Sequence, residues 1–454
     1  MKILFISVNN EHEPYPVAPL GAAYVASILK NGGHEVSLLD LCFVLDDLEA
    51  IKTALHQFRP DLIGISLRNI DNLTFHRSIF YLPRIRTVVD ALKKNSSARI
   101  IIGGSGYSIF PEEILRYLDL DTGIAGEGEN ALSSLVDAIS SNSTFDDIPN
   151  VCTLKNGEFR MNAVQQNHAG CLPDRSLLDN TQYLDLGGMA NIQSKRGCPF
   201  HCSYCTYPAI EGKKVRLREP GAVADELEEM HALYGIDYVF FVDDIFNYPE
   251  EHAVGICEEI IRRDLKIDWT CFATPLGMTE VLAGYMKRAG CRGVEFGSDA
   301  VTELTLKGLG KQFTADDIAH AAEACRKADL PNAHYLIIGG PGENDATLEE
   351  AFRFFDRIHP TAVITLAGIR IYPGTLLRKR SIDDGVIDKG DSLLEPAFYL
   401  SPELNAERMS GRISDAASGR SNWIVPGLNI RCDTESMMFL RRMNRRGPLW
   451  SELG

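Results

Sequence analysis

The chain has 454 residues, of which 45% are hydrophobic and 24% charged, an ordinary composition for a globular protein of two or three domains. Its formal net charge of −16 argues against a broad basic surface that follows a phosphate backbone, so nucleic acid is disfavoured as a substrate. No run approaches the roughly 18 apolar residues of a membrane helix, and the short apolar N-terminus before Asn9 is typical of a buried strand rather than a signal peptide.

The cysteines indicate a reducing environment. There are eleven of them, and most stand singly, whereas a secreted disulfide framework would be denser and shorter. We therefore expect a cytoplasmic protein. Those that lie in apolar patterns are predicted to be core residues, namely Cys42, Cys257, Cys291 and Cys325.

Strands and helices alternate over residues 1–142. Strand-like runs cover 2–8, 34–40, 62–66, 99–103 and 122–125, and helical patterns cover 20–31, 48–58, 82–94, 112–118 and 129–140. Apolar runs separated by amphipathic helices are typical of βαβ units around a parallel sheet. The pattern predicts a Rossmann-like, doubly wound α/β domain whose ligand lies beyond the carboxyl ends of the strands.

The remaining chain is predicted to form a linker, a second α/β domain and a tail. Residues 143–187 are weakly periodic, with one hairpin expected at Asn156-Gly157. Residues 188–385 then predict a partial (β/α)₆ barrel, with strands at 190–194, 238–242, 268–273, 293–297, 334–338 and 362–368. A small mixed C-terminal extension covers 386–454, and its positive charges are expected to form a solvated face: Arg441, Arg442, Arg445 and Arg446.

A cysteine motif follows the first predicted barrel strand. Cys198, Cys202 and Cys205 have C-x₃-C-x₂-C spacing, which suits three ligands of a 4Fe–4S cluster and leaves the fourth iron without a protein ligand. That iron can be chelated by the amino and carboxylate groups of S-adenosylmethionine (SAM). A closed zinc site would need a fourth ligand, and His201 lies within the loop where geometry is poor. Three unrelated buried cysteines are the other alternative.

Between residues 191 and 373 the chain resembles the radical SAM superfamily, whose motif also carries an aromatic residue before the third cysteine, as Tyr204 does here. The resemblance implies that Tyr204 lies near the SAM adenine and that Asp243 and Asp244 accept hydrogen bonds from its amino group. The other implied contacts come from later strand ends: Glu295, Ser298, Gly339, Gly340, Pro341, Arg370 and Tyr372. Arg370 could meet the SAM carboxylate or a substrate anion. Ordinary polar strand ends, or a rim ion pair for Arg370, would give a similar pattern.

The first domain resembles the cobalamin-binding domain of a subgroup of that superfamily. The implied cobalamin contacts are Pro19, Leu20, Gly21, Ser66, Arg68, Asn69, Gly103, Gly104, Gly126, Glu127 and Gly128. The Asp-x-His-x-x-Gly stretch that supplies a lower cobalt ligand is absent, and His12 is expected to be a surface residue. Cobalt would then be bound without a lower histidine. Arg68 or Asn69 is expected near the corrin face, unless Arg68 simply pairs with Asp71.

Together the two resemblances imply a cobalamin-dependent radical SAM enzyme that methylates an unactivated carbon of a small molecule or lipid precursor. The implied route uses a 5′-deoxyadenosyl radical and methylcobalamin, with electrons from a flavodoxin or ferredoxin. No catalytic side chain beyond the cluster and cofactors is identified. The same modules could instead catalyse rearrangement, cyclisation or carbon–carbon coupling, with or without cobalamin. An iron–sulfur electron-transfer protein is disfavoured, because a pure electron carrier needs no SAM pocket.

Overall fold

The computed structural model describes residues 1–166 and 170–453. Residues 167–169 of the predicted linker and Gly454 of the predicted extension lie outside the described residues. The protein is an α/β structure built on two seven-stranded sheets, which confirms the predicted fold class.

The N-terminal sheet contains strands β1 (Lys2–Ser7), β2 (Glu35–Asp40), β3 (Leu62–Ser66), β4 (Arg99–Gly103), β5 (Thr122–Ile124), β6 (Val151–Lys155) and β7 (Glu158–Met161). Its helices are α1 (Leu20–Asn31), α2 (Asp47–Phe58), α3 (Leu82–Asn95), α4 (Ser105–Ile109), α5 (Pro111–Leu118) and α6 (Glu129–Ser140). The strand order is β2-β1-β3-β4-β5-β6-β7, and β1 to β5 are parallel. Helices cover both faces, which explains why the central strands β1, β3 and β4 are rich in apolar residues.

The hairpin expected in the linker is present, but it belongs to the first sheet. Asn156 and Gly157 both have positive φ, the geometry of a tight hairpin turn between β6 and β7. Strand β6 pairs antiparallel with β5, so the sheet extends beyond residue 142 and gains an antiparallel edge.

The second sheet and its satellites contain β8 (Ala190–Ile192), β9 (Lys195–Arg196), β10 (Arg216–Leu217), β11 (Tyr238–Phe241), β12 (Asp268–Ala273), β13 (Cys291–Asp299), β14 (Asn332–Ile338), β15 (Ala362–Ala367), β16 (Ile369–Arg370), β17 (Phe398–Tyr399) and β18 (Trp423–Ile424). The helices are α7 (Asn180–Gln182), α8 (Tyr207–Ile210), α9 (Pro220–Tyr234), α10 (Glu250–Arg262), α11 (Glu280–Arg288), α12 (Glu303–Gly308), α13 (Ala315–Lys327), α14 (Asp345–Ile358), α15 (Leu376–Asp383), α16 (Ala406–Ser418) and α17 (Thr434–Arg442).

This second sheet is an open parallel barrel in the order β8-β11-β12-β13-β14-β15-β18. All six predicted barrel strands are found. The seventh, β18, comes from the C-terminal extension and pairs parallel with β15. The cysteines expected in the core are buried, as predicted. Within the described part of the chain, no helix combines the length and the apolar character that a bilayer crossing requires.

The C-terminal tail packs against the barrel instead of forming a wholly solvated face. Arg441 is only 8% exposed, and its guanidinium lies against Gly188 just before β8. Burial lowers the pKa of Arg441 to about 10. Further along, the indole of Trp450 reaches into the barrel and donates a 2.8 Å hydrogen bond from Nε1 to Glu295. The prediction of a solvated face is therefore wrong for Arg441.

Candidate cofactor site

A cavity of about 400 Å³ lies between the carboxyl ends of the N-terminal strands and the interior of the barrel. Residues predicted to contact cobalamin form its N-terminal wall: Pro19, Leu20, Gly21, Ser66, Arg68, Gly103, Gly104, Gly126, Glu127 and Gly128. Side chains of barrel strands form the opposite wall, among them Phe240 and Phe272. The cavity therefore lies where the crevice of a doubly wound sheet is expected.

Backbone packing explains one of the glycines in this wall. Gly104 has φ 108°, and a Cβ at this position would lie 2.4 Å from the carbonyl oxygen of Leu67. Only glycine permits this approach between the end of β4 and the loop after β3. Asn69, which lies in that same loop, does not line the cavity.

Polar atoms in the wall retain unused hydrogen-bonding capacity. The side-chain nitrogen of Asn9, just after β1, is buried without a hydrogen-bond partner. Arg68 faces the cavity with an exposed side chain, and among the described residues its guanidinium makes no hydrogen bond or ion pair. It does not pair with Asp71. His12 is exposed, as predicted, and its Nε2 lies 2.6 Å from the carbonyl oxygen of Cys42, outside the cavity.

Sequence reasoning did not select Asn9, nor Tyr15, which enters the cavity from the β1–α1 loop. The signal for Asn9 was available, because it follows the carboxyl end of a parallel strand as the chosen residues do. Tyr15 lies in a loop without a periodic pattern, and only the fold places it beside Phe240, with ring centroids 6.4 Å apart.

Ion pairs join the N-terminal domain to the segments before and after the cysteine motif. Arg196 contacts the Glu129 carboxylate at 2.5 Å and that of Glu127 at 3.7 Å, and its guanidinium lies over the ring of Tyr24. Arg216 also donates to Glu127 at 2.8 Å. Glu127 lines the cavity, its carboxylate is engaged by these arginines, and its direct contact with cobalamin stays a prediction.

The cysteine loop is held by backbone hydrogen bonds on both sides. The amide of Cys198 donates to Gly212 at 3.1 Å, and that of Ser203 donates to Leu309 at 2.8 Å. Burial raises the pKa of the Cys198 thiol to about 11 and that of Cys205 to about 12, so metal binding must displace these protons. Cys202 is half-buried on the same loop.

Tyr204 and two neighbours form a buried polar group behind the cysteine loop. The Tyr204 hydroxyl donates to Asp299 and accepts from the Lys311 ammonium at 3.2 Å. Lys311 also pairs with Asp299 and donates to the carbonyl oxygen of Gly297 at 3.0 Å. Sequence reasoning missed Lys311, because a single lysine between two helices carries no distinguishing pattern.

The two adjacent carboxylates after β11 have different roles. Asp243 is fully buried and accepts hydrogen bonds from the amides of Ser194 at 2.6 Å and Lys195 at 3.2 Å, and from the Ser194 hydroxyl. These protein donors engage its carboxylate, and its contact with SAM stays a prediction. Asp244 is half-buried and has a buried oxygen without a partner. Burial, together with the nearby carboxylate of Glu211, raises the pKa of Asp244 well above its usual range.

The two residues of β13 that were predicted to contact SAM have protein partners. Side chains alternate along a strand, so Ser298 lies on the face opposite to Glu295. Its hydroxyl is fully buried and lies 2.8 Å from Nδ1 of His334 on β14, and its contact with SAM stays a prediction. Glu295 points into the barrel, but its two oxygens accept from Tyr335 at 2.7 Å and from Trp450 at 2.8 Å.

Arg370 joins the two domains. It is 5% exposed, and its Nε donates to the Asp71 carboxylate at 2.9 Å. The other nitrogens donate to carbonyl oxygens, including that of Leu393 at 2.8 Å. Its guanidinium is thus engaged by protein acceptors, and a contact with SAM or a substrate anion stays a prediction. Tyr372 packs against that guanidinium and the ring of Phe110, 6.1 Å away.

The glycine-rich turn after β14 supports the cysteine loop from outside the cavity. A Cβ on Gly340 would meet Leu309 at 3.2 Å, and Pro341 packs against Gly308. Gly339 has φ 101° and donates its amide to Glu343. An adenosine contact from this turn stays a prediction.

Comparison with known proteins assigns both halves of the chain. The profile of the B12 binding domain matches residues 6–136, and that of the radical SAM superfamily matches residues 192–355, which include the cysteine loop. Residues 192–355 are therefore a radical SAM domain. This enzyme therefore combines a radical SAM barrel with a B12-binding domain, in the order that its two sheets show.

Several relatives of this radical SAM enzyme span most of its length. An uncharacterized methyltransferase of Pyrococcus horikoshii is 29% identical over 379 residues, or 81% of this chain and 79% of that protein. The tryptophan 2-C-methyltransferase of Streptomyces laurentii is 24% identical over 456 residues, or 85% and 75% of the two chains. In structure, the radical SAM methyltransferase TsrM from Kitasatospora setae, solved with cobalamin and a [4Fe–4S] cluster, superposes with a TM-score of 0.87 at 23% identity, covering 100% of this chain and 97% of that one.

Proposed function

We propose that this radical SAM enzyme is a cobalamin-dependent methyltransferase that acts on a carbon atom of a small molecule or lipid precursor. The observation that carries the proposal is the single cavity shared by the two domains, because its N-terminal wall consists of residues predicted for cobalamin and its other wall belongs to the barrel. A site between two domains is a usual place for two cofactors to meet. The methyltransferase names of the relatives support the same reaction.

The donor set on the cysteine loop suits a cubane cluster. Cys198, Cys202 and Cys205 would ligate three irons, and they are the residues that we assign to the metal. Among the described residues no three side chains are arranged around one point as ligands of a single ion. In a cubane cluster each cysteine binds a different iron, so the three sulfur atoms lie farther apart than the ligands of a single ion. When bound, the cluster with SAM supplies a 5′-deoxyadenosyl radical, and cobalamin supplies the methyl group.

Polar atoms with unused capacity fit the two organic cofactors. The partnerless oxygen of Asp244 would accept from the SAM ammonium. The partnerless Asn9 amide and the Ser66 hydroxyl would bond to polar groups at the corrin edge. Arg68 would lie at the corrin face in place of a histidine. These residues bind and orient, and the surrounding domain contacts exclude water.

The barrel end of the cavity favours an apolar or aromatic portion of the substrate. Tyr15, Phe240 and Phe272 form its wall, with ring centroids of the last two 4.7 Å apart. Such a wall stabilises a substrate through buried apolar area. We further propose that electrons come from a flavodoxin or ferredoxin and that the enzyme works in a reducing cytoplasm, where its free cysteines persist.

The proposed function is tested on enzyme purified without oxygen from cells supplied with hydroxocobalamin. We expect about one cobalt and about four irons per chain, and transfer of label from methyl-labelled SAM to a carbon of the product. Iron without cobalt, together with 5′-deoxyadenosine formation and no labelled product, would contradict methyl transfer and favour rearrangement or coupling.

Arg68→Ala is expected to change the visible spectrum of bound cobalamin and to lower cobalt content several-fold, because the side chain would lie at the corrin face. Absorption spectra and cobalt analysis measure both effects. Arg77→Ala removes an exposed arginine of the same domain, outside the cavity lining, and serves as the matched control. Unchanged cobalt content and spectrum in the Arg68 variant would refute the placement.

Asp244→Asn is expected to weaken SAM binding by roughly tenfold to a hundredfold, since it replaces a charge-assisted hydrogen bond by a neutral one. Equilibrium dialysis with anaerobically reconstituted enzyme gives the dissociation constant. Asp243→Asn should mainly lower thermal stability, because Asp243 binds the backbone of the β8–β9 segment. Equal SAM affinity in the wild type and the Asp244 variant would rule out the assigned role.

A further inference from the structure

Three surface segments bond directly to the outer side of the cysteine loop. The Ser203 hydroxyl donates to the carbonyl oxygen of Gly308 in α12 at 3.1 Å, and the Leu377 amide of α15 donates to the carbonyl oxygen of Ser203 at 2.8 Å. On the other side, Gly212 accepts from the Cys198 amide. His201, within the loop, is exposed to solvent. These segments therefore frame the surface nearest to the cluster ligands.

Each of these segments carries exposed lysines. Lys213 and Lys214 follow Gly212, Lys307 lies in the last turn of α12, and Lys379 lies in α15. None of the four forms an ion pair within the part of the chain that the structure describes. We name them the cluster-side basic surface.

Few acidic groups lie in these segments. Glu303 begins α12 and Asp383 ends α15, and both are exposed. Glu211, next to Gly212, is half-buried and accepts from the Gly197 amide at 3.1 Å. Asp384 is already engaged, because Arg380 donates to it at 2.7 Å. The four unpaired lysines thus leave a local excess of positive charge.

Exposed leucines accompany the lysines at helical spacing. Leu304 is 53% exposed three residues before Lys307, and Leu376 is 65% exposed three residues before Lys379. Residues three apart lie on one helix face, so each helix presents a leucine and a lysine together. Apolar groups bordered by charged ones are typical of protein interfaces.

The cluster-side basic surface is positively charged, whereas the whole molecule has a negative net charge. The net charge of −16 would repel an acidic protein at long range. At physiological salt the Debye length is about 8 Å, so an approaching protein senses mainly the charges near its point of contact. A basic surface beside the cysteine loop therefore steers an acidic partner to this point of an otherwise acidic molecule.

We propose that the cluster-side basic surface is the docking site of an acidic one-electron carrier protein of the flavodoxin or ferredoxin class. In the step that it serves, the reduced carrier loses one electron and the cluster gains it, while no bond forms or breaks. The inference rests on the proposed function, because it requires the cluster to be present. It adds the location of the partner and the residues that recognise it.

The test compares two double variants with the same change in net charge. Lys307→Glu/Lys379→Glu alters the proposed surface, whereas Lys94→Glu/Lys155→Glu alters exposed lysines of the N-terminal domain. Binding of an acidic flavodoxin, and separately of an acidic ferredoxin, is measured by titration at low and high salt. The rate of cluster reduction by each reduced carrier is followed by electron paramagnetic resonance, with dithionite as the small-molecule reductant.

The first double variant is expected to bind its carrier about tenfold more weakly at low salt and to be reduced correspondingly slowly, with dithionite reduction unchanged. The control should resemble wild type, and the carrier that shows the difference identifies its class. Equal loss in both variants, or no loss in either, would overturn the docking site. A wild-type enzyme that dithionite cannot reduce would contradict the proposed function instead.

Discussion

Replacing Cys198, Cys202 and Cys205 by alanine, singly or together, is expected to abolish SAM cleavage and the visible absorption of the iron–sulfur cluster. Each thiolate would hold a different iron, so the loss of any one removes a ligand that no neighbouring side chain replaces. The fold should survive, because backbone hydrogen bonds to Gly212 and Leu309 hold the loop. Iron content, visible spectra and chromatography of 5′-deoxyadenosine provide the measurement.

Cys171→Ala and Cys432→Ala are matched controls for these variants. Both thiols are half-buried, as Cys202 is, but they lie outside the cysteine loop. We expect wild-type iron content and SAM cleavage from each. If a variant of Cys198, Cys202 or Cys205 still formed 5′-deoxyadenosine at the wild-type rate, the metal assignment would be lost.

The boundaries of helices with a strong hydrophobic periodicity could be predicted from the sequence nearly to the residue. Helices α1 (Leu20–Asn31) and α6 (Glu129–Ser140) begin and end at the predicted residues. Strand β18 was missed because it has only two residues, Trp423 and Ile424, whose partners in β15 lie about 60 residues earlier. Whether two strands so far apart in the sequence pair depends on the tertiary structure, and a local hydrophobic pattern cannot predict it.

For the site as well, part of the arrangement could be predicted from the sequence and part could not. The cavity wall from Pro19 to Gly128 follows strand ends, and strand ends can be read from the chain. The hydrogen-bond partner of each polar side chain cannot be predicted from the sequence in this way. Asp243 bonds to the β8–β9 segment, and Glu295 bonds to a tryptophan 155 residues away. Strand alternation could have separated Ser298 from Glu295 before the structure was known.

Arg370→Ala is expected to lower the free energy of unfolding by about 3–5 kcal/mol, because it breaks a buried ion pair. Its partner Asp71 is 2% exposed, so removal of the guanidinium leaves a carboxylate buried without its cation. The carbonyl oxygens of Ile371 and Leu393 would also lose their donors. Urea unfolding followed by circular dichroism measures the change, where unfolding is reversible.

The expected loss of stability is large because the Arg370–Asp71 ion pair is buried, and not merely because it is an ion pair. Arg326→Ala removes a guanidinium that pairs with Glu323 at 2.6 Å on the solvated face of α13, and it should cost only about 0–1 kcal/mol. Adding Asp71→Asn to the Arg370 variant removes the buried charge and should restore part of the loss. Similar losses from the Arg370 and Arg326 variants would show that the contact between the N-terminal domain and the barrel does not depend on this pair. A large loss confined to Arg370 and relieved by Asp71→Asn would place the pair at the centre of that contact, since Asp71 follows β3 and Arg370 lies in β16.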